Sequence, residues 1–134
     1  MKAYLTRRYM ISASHRLHSD EFSPEQNQEI FGKCNNPHGH GHNYMVEVTV
    51  SGQVDARTGM VCNLMDLDRV VGKEIVERYD HQNLNLLPEF ERNVPTTENL
   101  CIAVYEILER GIRFAHLDKV RIEETMMNSF EYAG

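Results

Sequence analysis

Between Cys34 and Tyr44 the chain reads Cys-Asn-Asn-Pro-His-Gly-His-Gly-His-Asn-Tyr, and another histidine, His15, lies upstream in Ser12-Ala-Ser-His-Arg. Imidazole lone pairs are good ligands for divalent metals. A set of three without an obvious fourth suits a catalytic zinc site, which keeps a coordination position open for water or substrate. A thiol nearby that is not needed as a ligand is then available for acid–base work, because a neighbouring cation favours the thiolate. The spacing alone leaves two His-x-His pairs in play, His38 with His40 and His40 with His42.

His-x-His has mechanical meaning only on an extended chain, where alternate side chains share a face. From Asn43 to Ser51 that alternation is clear: Tyr44, Val46, Val48 and Val50 form an apolar face, and Met45, Glu47, Thr49 and Ser51 a polar one. Carried backwards through Gly41, the same parity puts His42 and His40 on the apolar side. Residues 3–14, rich in Tyr, Leu, Thr and Ile, predict an earlier strand. Leu64, Leu67, Val71 and Ile75 predict an amphipathic helix that Gly72 weakens. Thr96 or Thr97 caps a second helix, striped by Leu100, Val104, Ile107 and Leu108 and ending near Gly111. Two more strands follow, through Val120–Glu124 and through Phe130–Tyr132. Glu124 shares the face of Val120 and Ile122, where an unpartnered carboxylate is costly. The order is β-β-α-α-β-β: an α+β fold with a four-stranded antiparallel sheet. Its open edges favour association between subunits.

The 134 residues are 41% hydrophobic and 25% charged, which fits one ordinary globular domain spanning 1–134. A formal charge of -6, with Arg7-Arg8 the longest cationic run, argues against nucleic acid as a partner. No apolar run approaches the ~20 residues of a membrane span. The start of the chain lacks the apolar stretch of a signal peptide. Cys34, Cys62 and Cys101 are an odd, unpaired set that reads as reduced thiols in the cytoplasm. Cys62 and Cys101 are expected in the core. Met126 and Met127 are expected as core or interface filler, while His18 and His116 lack supporting context and read as solvated.

The segments Ser12-Ala-Ser-His-Arg-Leu, Phe31-Gly-Lys-Cys-Asn-Asn-Pro, His40-Gly-His-Asn-Tyr, Thr58-Gly-Met, Asp80-His-x-Asn-Leu, Thr96-Thr-Glu-Asn and Glu124-Thr resemble, in order, the 6-pyruvoyl-tetrahydropterin synthase family. The resemblance implies the tunnelling fold, with two helices between the second and third strands and trimeric barrels paired into homohexamers. It selects His15, His40 and His42 as ligands of Zn2+ and leaves His38 outside the set. It makes Cys34 the general base, assisted by Asp80 and His81 from a neighbouring subunit. Glu124 is implied as anchor of the pterin ring, with Thr96 and Thr97 around that ring. Lys33 and Arg16 are the candidate triphosphate contacts.

The implied reaction takes 7,8-dihydroneopterin triphosphate to 6-pyruvoyl-tetrahydropterin, eliminating triphosphate and redistributing side-chain hydrogens without an external redox cofactor. The alternative is the related 6-carboxy-tetrahydropterin synthase of queuosine biosynthesis, which typically has fewer residues between the cysteine and the His-Gly-His pair. A more remote alternative is a noncatalytic regulator that binds pterin or zinc. The full set Cys34, Asp80, His81 and Glu124 speaks against it, because binding alone needs no poised base.

Overall fold

The computed structural model describes residues 1–134 and has a twisted five-stranded sheet at its centre, in the order β3-β1-β2-β4-β5. The strands are β1 (Lys2–His15), β2 (His40–Gln53), β3 (Gln82–Asn83), β4 (His116–Thr125) and β5 (Asn128–Tyr132). Every pairing is antiparallel except that of β3 with β1. The α+β class and the two helices before β4 are as expected, but the four-strand count is corrected. The two-residue β3 adds a parallel edge beside Ala13 and Ser14. A helix not foreseen, α1 (Pro24–Phe31), also lies between β1 and β2.

β1 and β2 are both 14 residues long and pair along their whole length. One face carries Ile11, Ala13, Tyr44, Val46, Val48 and Val50, continued by Val120 and Ile122 of β4, all buried. The other face of β2 departs from the polar surface expected of it. Glu47, Thr49 and Ser51 are buried too. The central position of β2 explains this: Arg8 of β1 and Arg121 of β4 both pair with Glu47, and Thr6 hydrogen-bonds Thr49 at 2.8 Å.

Two helices cover the apolar face. The first, α2 (Leu64–Val71), continues through a π turn over Gly72–Val76 and a last turn over Glu77–Tyr79. Leu67, Val71, Ile75 and Tyr79 are all fully buried. At about 100° per residue, Leu67 and Tyr79 would stand roughly 120° out of phase in an unbroken α-helix. The extra residue taken up by a π turn reduces the offset to about 20°. Gly72 opens that turn. It does more than weaken the helix; it marks where the stripe is rephased. The second covering helix, α3 (Thr97–Gly111), is capped by Thr96, whose hydroxyl accepts from the Asn99 amide at 3.1 Å. It buries Leu100, Cys101, Val104, Tyr105 and Leu108.

The chain from α2 to α3 is held by one carboxylate. Glu89 takes a fork from Arg78 (Nε and Nη2, 2.8 Å each) and a hydrogen bond from the Tyr79 hydroxyl at 2.6 Å. Burial would raise the Glu89 carboxyl, but these three donors outweigh it and hold it at about 2, against an ordinary 4.5. A depressed folded-state pKa stabilises fully above the unfolded value, and that contribution is lost as pH falls from about 4.5 towards 2. Glu89→Gln should therefore destabilise the metal-free protein at about pH 6. The gap to wild type should narrow by roughly 1–2 kcal/mol at about pH 3, read from urea unfolding at both values. A gap unchanged with pH would reject the clamp.

Candidate metal centre and active site

The register of β1 against β2 brings the imidazoles together. His15 lies directly opposite His40, and His42 lies opposite Ala13, whose small side chain leaves room for the ring. His40, His42 and Tyr44 share the apolar side, as parity requires. Ring centroids are 4.7 Å apart for His15–His40, 5.1 Å for His15–His42 and 4.8 Å for His40–His42, all near perpendicular. Gly39 makes the close approach possible. Its φ is +72°, and a Cβ there would stand 2.9 Å from the His15 carbonyl oxygen.

One ligand atom from each of His15, His40 and His42 falls within 4.8 Å of the others, so the trio could hold a metal ion. Three features test the fit. The His15 Nδ1 lies 2.7 Å from the Pro95 carbonyl oxygen. A carbonyl only accepts, so Nδ1 carries the proton and Nε2 presents a lone pair, the arrangement a metal-binding histidine needs. That Nε2 is 3.1 Å from the Nε2 of His40, a pair of nitrogens stable at this distance only with a proton or a cation between them. The Nε2 of His42 is buried and has no hydrogen-bond partner in the chain. Burial also pushes the His15 and His42 imidazoles below their ordinary pKa, favouring the neutral ring that can donate to a metal. The donors fit a divalent cation.

Glu124 stands beside this trio, Oε2 at 3.9 Å from the His42 Nε2. Its carboxylate is oriented from two sides. The Thr97 hydroxyl donates to Oε2, and the Asn128 amide donates to Oε1 at 3.1 Å. Burial would raise the Glu124 pKa, but these hydrogen bonds and the neighbouring imidazoles win and lower it, keeping an anion. The cations of the same strand are engaged elsewhere: Arg121 with Glu47 and Glu123, Lys119 with Glu131. Thr96 and Thr97 separate into two roles. Thr96 is the helix cap, and Thr97 holds the carboxylate.

Cys34 lies on a 3₁₀ turn, Gly32–Asn35, and is half-buried. Its carbonyl accepts from the Leu17 amide at 2.8 Å, while Asn35 Nδ2 donates to the Leu17 carbonyl at 2.8 Å. Arg16 Nε donates to the Asn35 carbonyl at 3.0 Å. The turn is thus tied to the residues immediately after His15.

A family model described as "6-pyruvoyl tetrahydropterin synthase" matches residues 4–134. The chain belongs to that family. It is 47% identical over 134 residues to a 6-pyruvoyl tetrahydrobiopterin synthase of Drosophila melanogaster, covering 98% of this chain and 80% of that one. The corresponding protein of Homo sapiens is 46% identical over 134 residues, covering 99% and 92%. The solved structure of Caenorhabditis elegans 6-pyruvoyl tetrahydropterin synthase superposes with a TM-score of 0.96 at 40% identity, covering 100% of this chain and 96% of that one.

Two residues implied by the resemblance to this synthase family do not join the cluster within one chain. Asp80 and His81 sit at the β3 edge of the sheet, and neither makes a hydrogen bond or ion pair with Cys34, Glu124 or the three imidazoles. They form a unit of their own. Asp80 Oδ1 accepts from the Ser12 amide at 2.8 Å, and Oδ2 lies 3.0 Å from the His81 Nδ1. The Ser12 bond comes first among the causes that lower the Asp80 pKa. His81 has φ +60°, a conformation that costs a non-glycine residue of order 1 kcal/mol, and its amide bonds the Ser12 carbonyl at 2.5 Å. The imidazole is 82% exposed, presented outward.

Other expectations are corrected. Met126 and Met127 form the β4–β5 turn and are almost wholly exposed, so of the core and interface roles expected for them only the core one is excluded. Cys62 is only half-buried at the core's edge, whereas Cys101 is buried. His18 is not simply solvated: its ring is bonded on one side by Asn35 and on the other by Asp20, each at 3.2 Å. His38 and Lys33 are exposed. The cleft of about 840 Å³ beside Arg16 carries Arg92 but also Asp20, Glu21 and Glu91, so its walls are not a cationic cradle for triphosphate. Sequence reasoning missed the Pro95 carbonyl and Asn128, because neither residue type signals a backbone acceptor or a carboxylate clamp.

Proposed function

We propose that this chain converts 7,8-dihydroneopterin triphosphate to 6-pyruvoyl-tetrahydropterin, with Zn2+ held by His15, His40 and His42. The observation that carries the reading is the placement of an anionic carboxylate, Glu124, 3.9 Å from a metal-facing imidazole. That geometry suits a ligand with a hydrogen-bonding ring at one end and an oxygenated side chain at the other. When bound, zinc supplies Lewis-acid polarisation of the side-chain oxygens, which acidifies the adjoining C–H bonds.

The protein's own groups divide the remaining work. Glu124 accepts from the amino and N–H edge of the pterin, with Thr97 and Asn128 fixing its direction. Cys34, as thiolate, takes the proton from the side-chain carbon. Asp80 orients His81, which exchanges protons with the thiol. Because that pair faces outward at the sheet edge, it serves the site of a neighbouring copy in a homohexamer. Carbon–oxygen cleavage then releases triphosphate. The hydrogens of the carbinol beside the ring pass to the ring C6=N5 bond, so that carbinol becomes a ketone as the dihydropterin becomes a tetrahydropterin. The enol left by loss of triphosphate takes a proton at the terminal carbon to give the second ketone and a methyl group, and no external oxidant is needed.

The deciding experiment supplies zinc-loaded protein with 7,8-dihydroneopterin triphosphate and identifies the product by mass spectrometry. The pyruvoyl product is expected. A 6-carboxy product would move the assignment to the related synthase of queuosine biosynthesis, and binding without turnover would make the chain a pterin-binding protein.

A further inference from the structure

Residues 16–39 leave the sheet at the end of β1 and return to it at the start of β2, carrying α1 and the 3₁₀ turn with Cys34. No side chain of this segment is part of the hydrophobic core or among the half-buried apolar residues packed against it. The segment folds on its own polar groups instead. Buried Asn27 bonds the Ser19 amide at 2.8 Å and the Ser19 carbonyl at 2.9 Å, and Asn35 bonds the Leu17 carbonyl at 2.8 Å. The cleft of about 840 Å³ has part of the segment in one wall and residues 90–95 in the other, so the two do not close on each other there.

One side chain from outside bonds to the segment. Asn85 Oδ1 accepts from the Arg16 amide at 2.7 Å, and its Nδ2 donates to the Arg16 carbonyl at 2.9 Å. Beyond the β1–β2 ladder at its two ends, no other hydrogen bond or ion pair joins the segment to the rest of the chain. The partners fix which way the carboxamide faces, since a backbone N–H only donates and a carbonyl only accepts. Here a side chain takes over from a strand. β3 pairs with Ala13 and Ser14, and its backbone then turns away into a 3₁₀ turn at Leu84. The carboxamide of Asn85 supplies the donor and acceptor that the departing strand no longer offers. Its root is firm: Leu84 is fully buried, and the Asn83 side chain accepts from the Asn85 amide at 3.1 Å. From Arg16 the hold passes to the thiol turn. Arg16 Nε bonds the Asn35 carbonyl, and the Leu17 amide bonds the carbonyl of Cys34 itself.

We propose that Asn85 is a positioning residue that sets where the Cys34 thiol stands, acting through Arg16 and Leu17. The proposal rests on the reading of Cys34 as the general base. The rest of the site does not hang from Asn85. His15 is held by its pairing with His40 and by the Pro95 carbonyl, Glu124 by Thr97 and Asn128, and Asp80 by the Ser12 amide. Losing the carboxamide therefore loosens the thiol and leaves the ligands and the anchor in place. The freed groups of half-buried Arg16 can turn to water, so the fold survives the change. A reacting group misplaced by about 1 Å can cost about 100-fold in rate.

The test compares steady-state kinetics with the triphosphate substrate, and zinc affinity by chelator competition, for wild type, Asn85→Ala, Cys34→Ala and the double variant. Asn85→Ala should lower kcat about 10- to 100-fold and leave KM and the zinc dissociation constant within about twofold of wild type. On the Cys34→Ala background the same change should alter kcat by less than about twofold, because no thiol remains to be positioned. A general loosening of the fold would instead move all three parameters and multiply with Cys34→Ala. Multiplying effects, an unchanged kcat in Asn85→Ala, or a loss confined to KM or zinc would each overturn the proposal. Should the alanine variant not fold, Asn85→Gln, the same carboxamide on an arm one methylene longer, should lower kcat in the same pattern and decides in its place. Cys34→Ala with full turnover is a separate outcome, which removes the base assignment and the positioning role with it.

Discussion

Cys34→Ala is expected to lower turnover by about 10²- to 10⁴-fold while one zinc per chain remains bound. The argument separates the thiol from the turn that carries it. The turn is fastened through backbone carbonyls and the Asn35 amide: Leu17 to Cys34 at 2.8 Å, Arg16 to Asn35 at 3.0 Å, Asn35 to Leu17 at 2.8 Å. None of these uses sulfur, so alanine keeps the backbone in place. Nor does the thiol belong to the trio of converging ligand atoms. Zinc content by atomic emission and turnover with the triphosphate substrate form the readout. Zinc lost in the variant would make Cys34 a ligand, and turnover retained would end its role as base. The same variant tests how the site is assembled. Cys34→Ala and His81→Ala, each inactive alone, should regain activity when refolded together, because a mixed oligomer contains sites that pair an intact thiol with an intact Asp80–His81 unit.

The sequence signals that succeeded are those with a local physical cause. The parity linking His40 and His42 to Tyr44 follows from the pleat, and the structure keeps it because β2 pairs with β1 along its full length. Glu124 stood out as a charge on an apolar strand face, and its partners, Thr97 and Asn128, are what such a charge requires. The first helix was legible but passed over. Ser23-Pro24-Glu25-Gln26 carries a capping box and a proline in the first turn, and both sides of that box are formed. The π turn was not legible: the stripe Leu67, Val71, Ile75 reads as an ordinary helix, and only Tyr79 reveals the phase that must be corrected. Two-residue β3 has no periodicity to find. The burial of Glu47 depends on Arg8 and Arg121, which come from strands 39 and 74 residues away along the chain (47 − 8 and 121 − 47). Such pairing belongs to tertiary packing, and no window on β2 contains it. The same holds for Pro95, whose carbonyl fixes the His15 tautomer across 80 residues.

His42→Phe should separate stability from function more sharply than any other substitution here. The planar ring fits: His42 stands opposite Ala13 and packs edge-on against His15 and Tyr44, contacts that phenylalanine can keep. What disappears is the buried Nε2, which has no partner in the chain. Leaving such an atom unpaired costs about 1–3 kcal/mol, so the metal-free variant should be as stable as wild type or more stable by about 1 kcal/mol. Two imidazoles remain, one fewer than the three protein ligands of a catalytic zinc site, and zinc should be lost to mild chelation. Turnover should fall at least about thousandfold, since metal polarisation is worth several kcal/mol and each 1.36 kcal/mol is about tenfold in rate. Zinc at about 100 times its dissociation constant should stabilise wild type by about 2.7 kcal/mol in urea unfolding and leave the variant unmoved. A variant that keeps full zinc occupancy would remove His42 from the metal site. One whose metal-free stability drops by the 2 kcal/mol or more typical of a damaged core would show that the ring, not its nitrogen, is what the fold requires.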